Sequence, residues 1–225
     1  MKLMRGLIYA VLACVMSFAS CAYAELVKGR DYSVIEPAQP VSSGSKIEVL
    51  EFFWYGCPHC SRLEPHLNGW LKRMPADAEF KRVAAAFRES WLPLARAHYT
   101  LQALGLERKL HGELFAAIHD QKTLAIKTLA GDPAPLFDWI VAKGVDRKKF
   151  ADAYNSPAVA ARTQSTIETT GRYALLDVPA IVVSGRYLIA LSMAGYSDGD
   201  KKKYELFFRN VNQLIAQARR DLAQK

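Results

Sequence analysis

The sequence predicts an α/β fold, with a central mixed sheet flanked by helices and an all-helical insertion. Three observations predict it. An apolar strand, Ile47 to Trp54, runs through a short Tyr55-Gly56 break into Cys57-Pro58-His59-Cys60, which opens a helix. Ser90 to Gln164, about 75 residues, has helical periodicity and no convincing strand. Strand signals then return as two apolar runs joined by Ser184-Gly185, followed by an amphipathic terminal helix. At 225 residues the chain is long for one small α/β core and short for two ordinary domains.

The N-terminus reads as an address. Met1 to Arg5 carries two positive charges, and Gly6 to Ala19 is apolar but too short for an ordinary membrane span. Ala22-Tyr23-Ala24 is a small-x-small pattern, so residues 1–24 read as a secretory signal peptide cut before Glu25. An uncleaved anchor, or lipidation at Cys21 after the lipobox-like Phe18-Ala19-Ser20, are the alternatives. Cleavage removes Cys14 and Cys21 and leaves Cys57 and Cys60 as the only thiols. An exported protein with one closely spaced pair has no other disulfide to form, in a compartment where disulfides persist. Formal net charge is +8, or +6 without Lys2 and Arg5. Dispersed charge of that size reads as solubility, and Lys201-Lys202-Lys203 as a solvated face. No nucleic-acid motif is present, and no nucleic-acid partner is expected.

Taken in order, Tyr32 to Ile35 is a candidate edge strand and Pro37 to Ser45 a loop. Ile47 to Phe53 is apolar on both faces, as a buried central strand should be. Glu51 breaks that pattern on the face shared with Ile47, Val49 and Phe53. A carboxylate buried there has its pKa raised by desolvation and can exchange a proton with Cys60; a strand-end Glu bonded to backbone is the bland alternative. The first N–H groups of the next helix lack intrahelical partners and carry partial positive charge. A thiolate at Cys57 is thereby stabilised, and a protonated His59 adds to it. Pro58 suits the first helical position, where its missing N–H costs nothing. A zinc knuckle would need further ligands, and only His59 and His66 are near, so no metal is expected.

That helix is expected to run to Met74, kinked at Pro65, with Leu63, Leu67, Trp70, Leu71 and Met74 on its core side. Glu79 to Phe87 reads as the next strand. The helical region breaks at Gly105 and Gly144, Asp146 can cap Arg147 to Tyr154, and Ser156-Pro157 opens a helix to about Arg172. His98, His111 and His119 read as surface or satisfied core histidines. Pro179 opens the strand Ile181 to Val183 and fits a cis-proline bend. Such a bend can turn the backbone of Val178 outward, so that an extended substrate pairs with it as an added strand. The adjoining groove is expected to be shallow and apolar, formed by Tyr55, His59 and loops near Met193. Asp200 can cap the terminal helix, whose apolar face carries Tyr204, Phe207, Phe208, Val211, Leu214 and Ile215.

These pieces together resemble the DsbA family of periplasmic thiol:disulfide oxidoreductases. The carrying residues are Glu51-Phe52-Phe53, the dipeptide Pro58-His59 between the cysteines, and Val178-Pro179-Ala180 followed by Ser184-Gly185. The resemblance covers essentially the whole chain after residue 24. It implies a thioredoxin fold in two segments, 25–88 and 167–225, with residues 89–166 as an inserted helical domain. It further implies Cys57 as nucleophile, Cys60 as its buried partner, Glu51 as proton acceptor and Pro179 as a cis-proline facing the disulfide. Arg82, with Lys81 adjacent, stands where the family has a buried Lys, and a guanidinium cannot relay a proton. The implied activity is disulfide donation to newly exported, folding proteins in the periplasm. The implied partner is a DsbB-like membrane quinone reductase for reoxidation; no cofactor is expected, and a monomer is. A reductase or isomerase of the same fold, or a non-catalytic chaperone or metal-binding module, stay open as alternatives.

Overall fold

The structure is a computed structural model that describes residues 25–193 and 201–224. The signal-peptide pattern, Cys14, Cys21 and the Asp200 cap lie outside the described residues.

Five strands form one mixed sheet: β1 (Ser33–Val34), β2 (Ile47–Phe53), β3 (Ala78–Ala84), β4 (Ala180–Val183) and β5 (Tyr187–Ala190), in spatial order β1-β5-β4-β2-β3. β2 and β3 are parallel and joined through helix α1 (Pro58–Leu71), while β4 runs antiparallel to both β2 and β5. β2 is buried along its whole length, which explains why its sequence is apolar on both faces. Its odd-numbered side, with Ile47 and Val49, meets Leu63, Leu67 and Trp70 of α1. The same layer takes Phe207, Val211, Leu214 and Ile215 from the terminal helix α9 (Lys201–Ala223). Each of those side chains contributes roughly 1.5–3 kcal/mol by burial. Truncating the fully buried Phe207 to Ala would cost about 3–5 kcal/mol. The even-numbered side, with Leu50 and Phe52, is covered by Tyr173 and Leu175.

Between β3 and β4 the described chain is helical. It contains α2 (Leu92–Ala103), α3 (Glu107–His119), α4 (Ile126–Leu129), α5 (Ala134–Ala142), α6 (Arg147–Tyr154), α7 (Pro157–Gln164) and α8 (Thr166–Arg172). Gly105 and Gly144 have positive φ, as expected where helices terminate. Asp146 and Ser156 accept hydrogen bonds from the backbone N–H groups of Lys149 and Val159, so both expected N-caps form.

Several expected boundaries shift. The helix expected from Ser156 to Arg172 breaks at Ser165. There Thr163, Ser165, Thr166 and Thr170 all donate hydroxyl protons to carbonyls three or four residues earlier, a pattern that bends helices. β3 stops at Ala84 rather than Phe87, because the N–H of Ala86 leaves the sheet for the Thr170 hydroxyl. α1 ends at Leu71, not Met74, with Pro65 inside the helix. The hairpin link is three residues, with Ser184 and Gly185 both at positive φ, so β5 starts at Tyr187.

Candidate active site

The redox turn lies where β2 leaves the sheet. The N–H of Cys57 donates to the Trp54 carbonyl at 2.9 Å, closing a tight turn over Tyr55-Gly56. Gly56 packs directly under the Trp54 indole, where a Cβ would collide with the ring. That indole stacks face to face on Trp91, with centroids 3.8 Å apart and planes 4° from parallel. Cys57 is the N-cap of α1 and Pro58 its first residue, as the sequence predicts. The Cys57 sulfur accepts from the backbone N–H of Cys60 at 3.4 Å and lies 3.3 Å from the Val178 carbonyl oxygen, to which its thiol donates. Val178–Pro179 is cis. Residues 121 apart in sequence thus meet at one sulfur.

The two thiols differ. A hydrogen bond from Cys60 lowers the pKa of Cys57 most, burial opposes it, and the N–H groups of Cys60 and His59 and the charge of Arg62 help; the result is about 7. The contribution of His59 to Cys57 is therefore its backbone N–H, while its ring nitrogen Nδ1 is engaged by Arg62 at 2.9 Å. Cys60 is fully buried, and burial, followed by the neighbouring Cys57, pushes its thiol well above the ordinary range.

Glu51 lies behind the pair. Parallel register sets Arg82 directly beside it, and Arg82 Nε is 3.0 Å from Glu51 Oε2, although neither atom is in hydrogen-bonding geometry. Arg82 also reaches Glu64 at 3.0 Å and Glu107 at 3.7 Å. Lys81 points elsewhere, to Glu48 and Glu79, so Arg82 is the buried cation. Burial raises the pKa of Glu51 to about 8; Arg82 opposes that and Glu64 reinforces it. Glu51, Glu64 and His111 bring potential ligand atoms within 4.8 Å of one another. The guanidinium of Arg82 already binds two of the three, so the cation between those carboxylates is a side chain.

A cavity of about 300 Å³ opens beside Cys57, lined by His59, Asp177, Val178, Pro179, Leu191 and Lys203. This corrects two expectations. Tyr55 is not part of that surface but is buried at 1 % exposure, because its ring packs against Phe53 and Phe115. Lys203, expected on a solvated face, is buried at 5 % exposure against the groove.

No protein-family model matches the chain. It is 38% identical over 188 residues to the thiol:disulfide interchange protein DsbA of Burkholderia cepacia, covering 83% of this chain and 86% of the relative. The DsbA of Bordetella parapertussis is 37% identical over 218 residues, covering 96% and 97%. The chain belongs to the DsbA family. The crystal structure of Pseudomonas aeruginosa DsbA superposes with a TM-score of 0.77 at 32% identity, over 89% of this chain and 97% of that one. The protein is accordingly a thiol:disulfide oxidoreductase with a thioredoxin fold and a helical insertion, and its CxxC has the geometry such chemistry needs. No helix among the described residues is long and apolar enough to cross a membrane.

Sequence reasoning missed part of this DsbA-type site. Glu64 lies seven residues after Cys57 and four after Cys60, on one helical face, which is a signal that spacing alone carries. His111 and His119 are not bland: the ring of His111 meets the Tyr55 hydroxyl at 2.8 Å, and that of His119 meets the Tyr55 carbonyl at 2.7 Å. His98 is a buried core histidine whose ring lies against the Arg82 backbone without a hydrogen bond of good geometry.

Proposed function

We propose that the Cys57–Cys60 pair donates its disulfide to newly exported, folding proteins. The single observation that carries this is the asymmetry of the pair at one backbone edge. Cys57, with its lowered pKa, lies 3.3 Å from the Val178 carbonyl, while Cys60 is sealed behind it over Glu51. A substrate thiolate attacks the Cys57 sulfur, the Cys57–Cys60 bond breaks, and Cys60 leaves as a thiolate that takes a proton from Glu51. A second substrate thiolate then attacks the substrate sulfur of the mixed disulfide, and Cys57 leaves as a thiolate. The substrate has lost two electrons and the pair has gained them. A depressed pKa makes Cys57 the better leaving group. In reoxidation Glu51 takes the proton back from Cys60. Val178 and Pro179 form the edge along which an extended substrate segment lies, with His59 and Pro58 shaping the turn.

The signal-peptide pattern of residues 1–24 supports export to the periplasm, and the family resemblance supports a DsbB-like quinone reductase as the reoxidising partner of a monomer. The division into 25–88 plus 167–225 around an inserted 89–166 belongs to the same reading. The test is a trapping experiment with reduced, unfolded substrate. Cys60→Ala should accumulate mixed disulfides through Cys57, and Cys57→Ala should accumulate none. Equal trapping by both variants overturns the assigned roles. An equilibrium with glutathione as reducing as thioredoxin's would overturn the direction.

A further inference from the structure

Tyr55 is held at both ends by one helix. His111 and His119 lie eight residues apart on α3, on one face two turns apart. One meets the Tyr55 hydroxyl at 2.8 Å and the other the Tyr55 carbonyl at 2.7 Å. Tyr55 precedes Cys57 by two residues, so a helix of the insertion holds the turn that carries the nucleophile. The opposite edge of His111 faces the carboxylates: Nε2 is 3.5 Å from Glu64 Oε2, and Glu64 shares Arg82 with Glu51. That contact is too long and bent to be a strong hydrogen bond, and Nε2 has no other partner. If the Tyr55 hydroxyl donates, Nδ1 of His111 is the acceptor and the ring proton sits on Nε2, toward Glu64.

We propose that His111 is a positioning residue of the redox centre. Its neutral ring fixes Tyr55, and with it the Cys57 turn, while its Nε2 edge orients Glu64 against Arg82 and Glu51. It touches neither sulfur and acts through Tyr55 and Glu64. Packing alone does not call for histidine here, because the ring's edge-to-face contacts with Phe53 and Phe115 would be kept by a phenyl group. Charged and titratable neighbours face it from every side: Glu51 from β2, Glu64 from α1, Arg82 from β3, His98 from α2 and Glu107 from its own helix. Glu64 and Glu107 favour a charge on the ring; burial and Arg82 disfavour it, and burial is the largest influence. The ring therefore stays neutral until the solution is more acidic than its ordinary value of 6.5.

The proposal rests on the exchange chemistry assigned to Cys57 and Cys60, and its test separates the two. The equilibrium constant of the full protein with glutathione is measured against pH for the parent, His111→Phe and His111→Gln, with thermal stability in parallel. His111→Phe keeps the packing and loses both polar contacts, so its constant should move by about fivefold at neutral pH, the size of one ordinary hydrogen bond, here the one to the Tyr55 hydroxyl. His111→Gln can accept from Tyr55 and donate to Glu64, so it should restore the neutral-pH constant but lack the parent's inflection below pH 6.5. Constants and pH profiles that superimpose on the parent's, whatever the change in stability, overturn the proposal. Should His111→Phe fail to fold, His111→Gln decides alone: an inflection identical to the parent's overturns it. Failure of the unmodified protein to exchange at all would instead overturn the function.

Discussion

Glu48 and Glu51 stand three residues apart on the same strand, and both are buried, at 2 % and 1 % exposure. Their protons behave in opposite ways. For Glu48, burial pushes the carboxyl up, but the Ser42 N–H, Lys81 and the hydroxyls of Ser42 and Ser43 outweigh it, and its pKa falls. For Glu51, burial meets a single shared guanidinium whose geometry is poor, and the pKa rises to about 8. Burial sets the stakes, and the supply of donors decides the sign. Glu48 is a pillar beside β3; Glu51 is the carboxyl proposed to exchange a proton with Cys60.

That contrast can be broken by substitution. Glu51→Gln should slow disulfide transfer about a hundredfold at neutral pH, because a general acid–base group contributes on that scale. Stopped-flow exchange with a model peptide checks it, and a rate unchanged within twofold contradicts the role. Glu48→Gln should leave that rate alone and cost about 1–3 kcal/mol of stability, since it strips charge from a filled set of donors. Chemical denaturation reads the difference.

Acid and base should separate the same two residues. Glu51 has a folded pKa above its unfolded value of 4.5, so its contribution is full below 4.5 and is lost as pH climbs through about 8. Glu51→Gln should therefore gain on the parent with rising pH. Glu48 has a depressed folded pKa, so its contribution is present above 4.5 and lost as pH falls through the lower folded value. The penalty of Glu48→Gln should fade in acid, and denaturation midpoints from pH 4 to 9 would show the two curves diverging. The smallest effect belongs to Lys81→Met. Lys81 is about 30% exposed and Glu48 keeps three other donors, so less than about 1 kcal/mol should be lost.

What could be read from the chain divides along sequence distance. The CxxC helix start, the Ser184-Gly185 link and the caps at Asp146 and Ser156 depend on neighbours within a few residues, and spacing exposes them. The oddity of Glu51 was visible for the same reason, as a charge inside an apolar strand. Its partners were not, because register across β2 and β3 chose Arg82 over Lys81 by one residue, which turns a side chain to the opposite face. His111 looked ordinary because the groups that make it matter, Tyr55 and Glu64, lie 56 and 47 positions away and meet only once the insertion folds back. Lys203 looked solvent-facing because a run of three lysines says nothing about which of them a helix turns inward.

The Trp54–Trp91 stack gives the protein a built-in optical gauge. Two indoles 3.8 Å apart share their excitation, and coupled chromophores give paired circular-dichroism bands of opposite sign that vanish if either ring moves away. One indole precedes Cys57 by three residues, and the other begins the helical insertion next to α2. The strength of that band pair therefore reports, without any label, how tightly the insertion is closed over the turn while disulfides come and go.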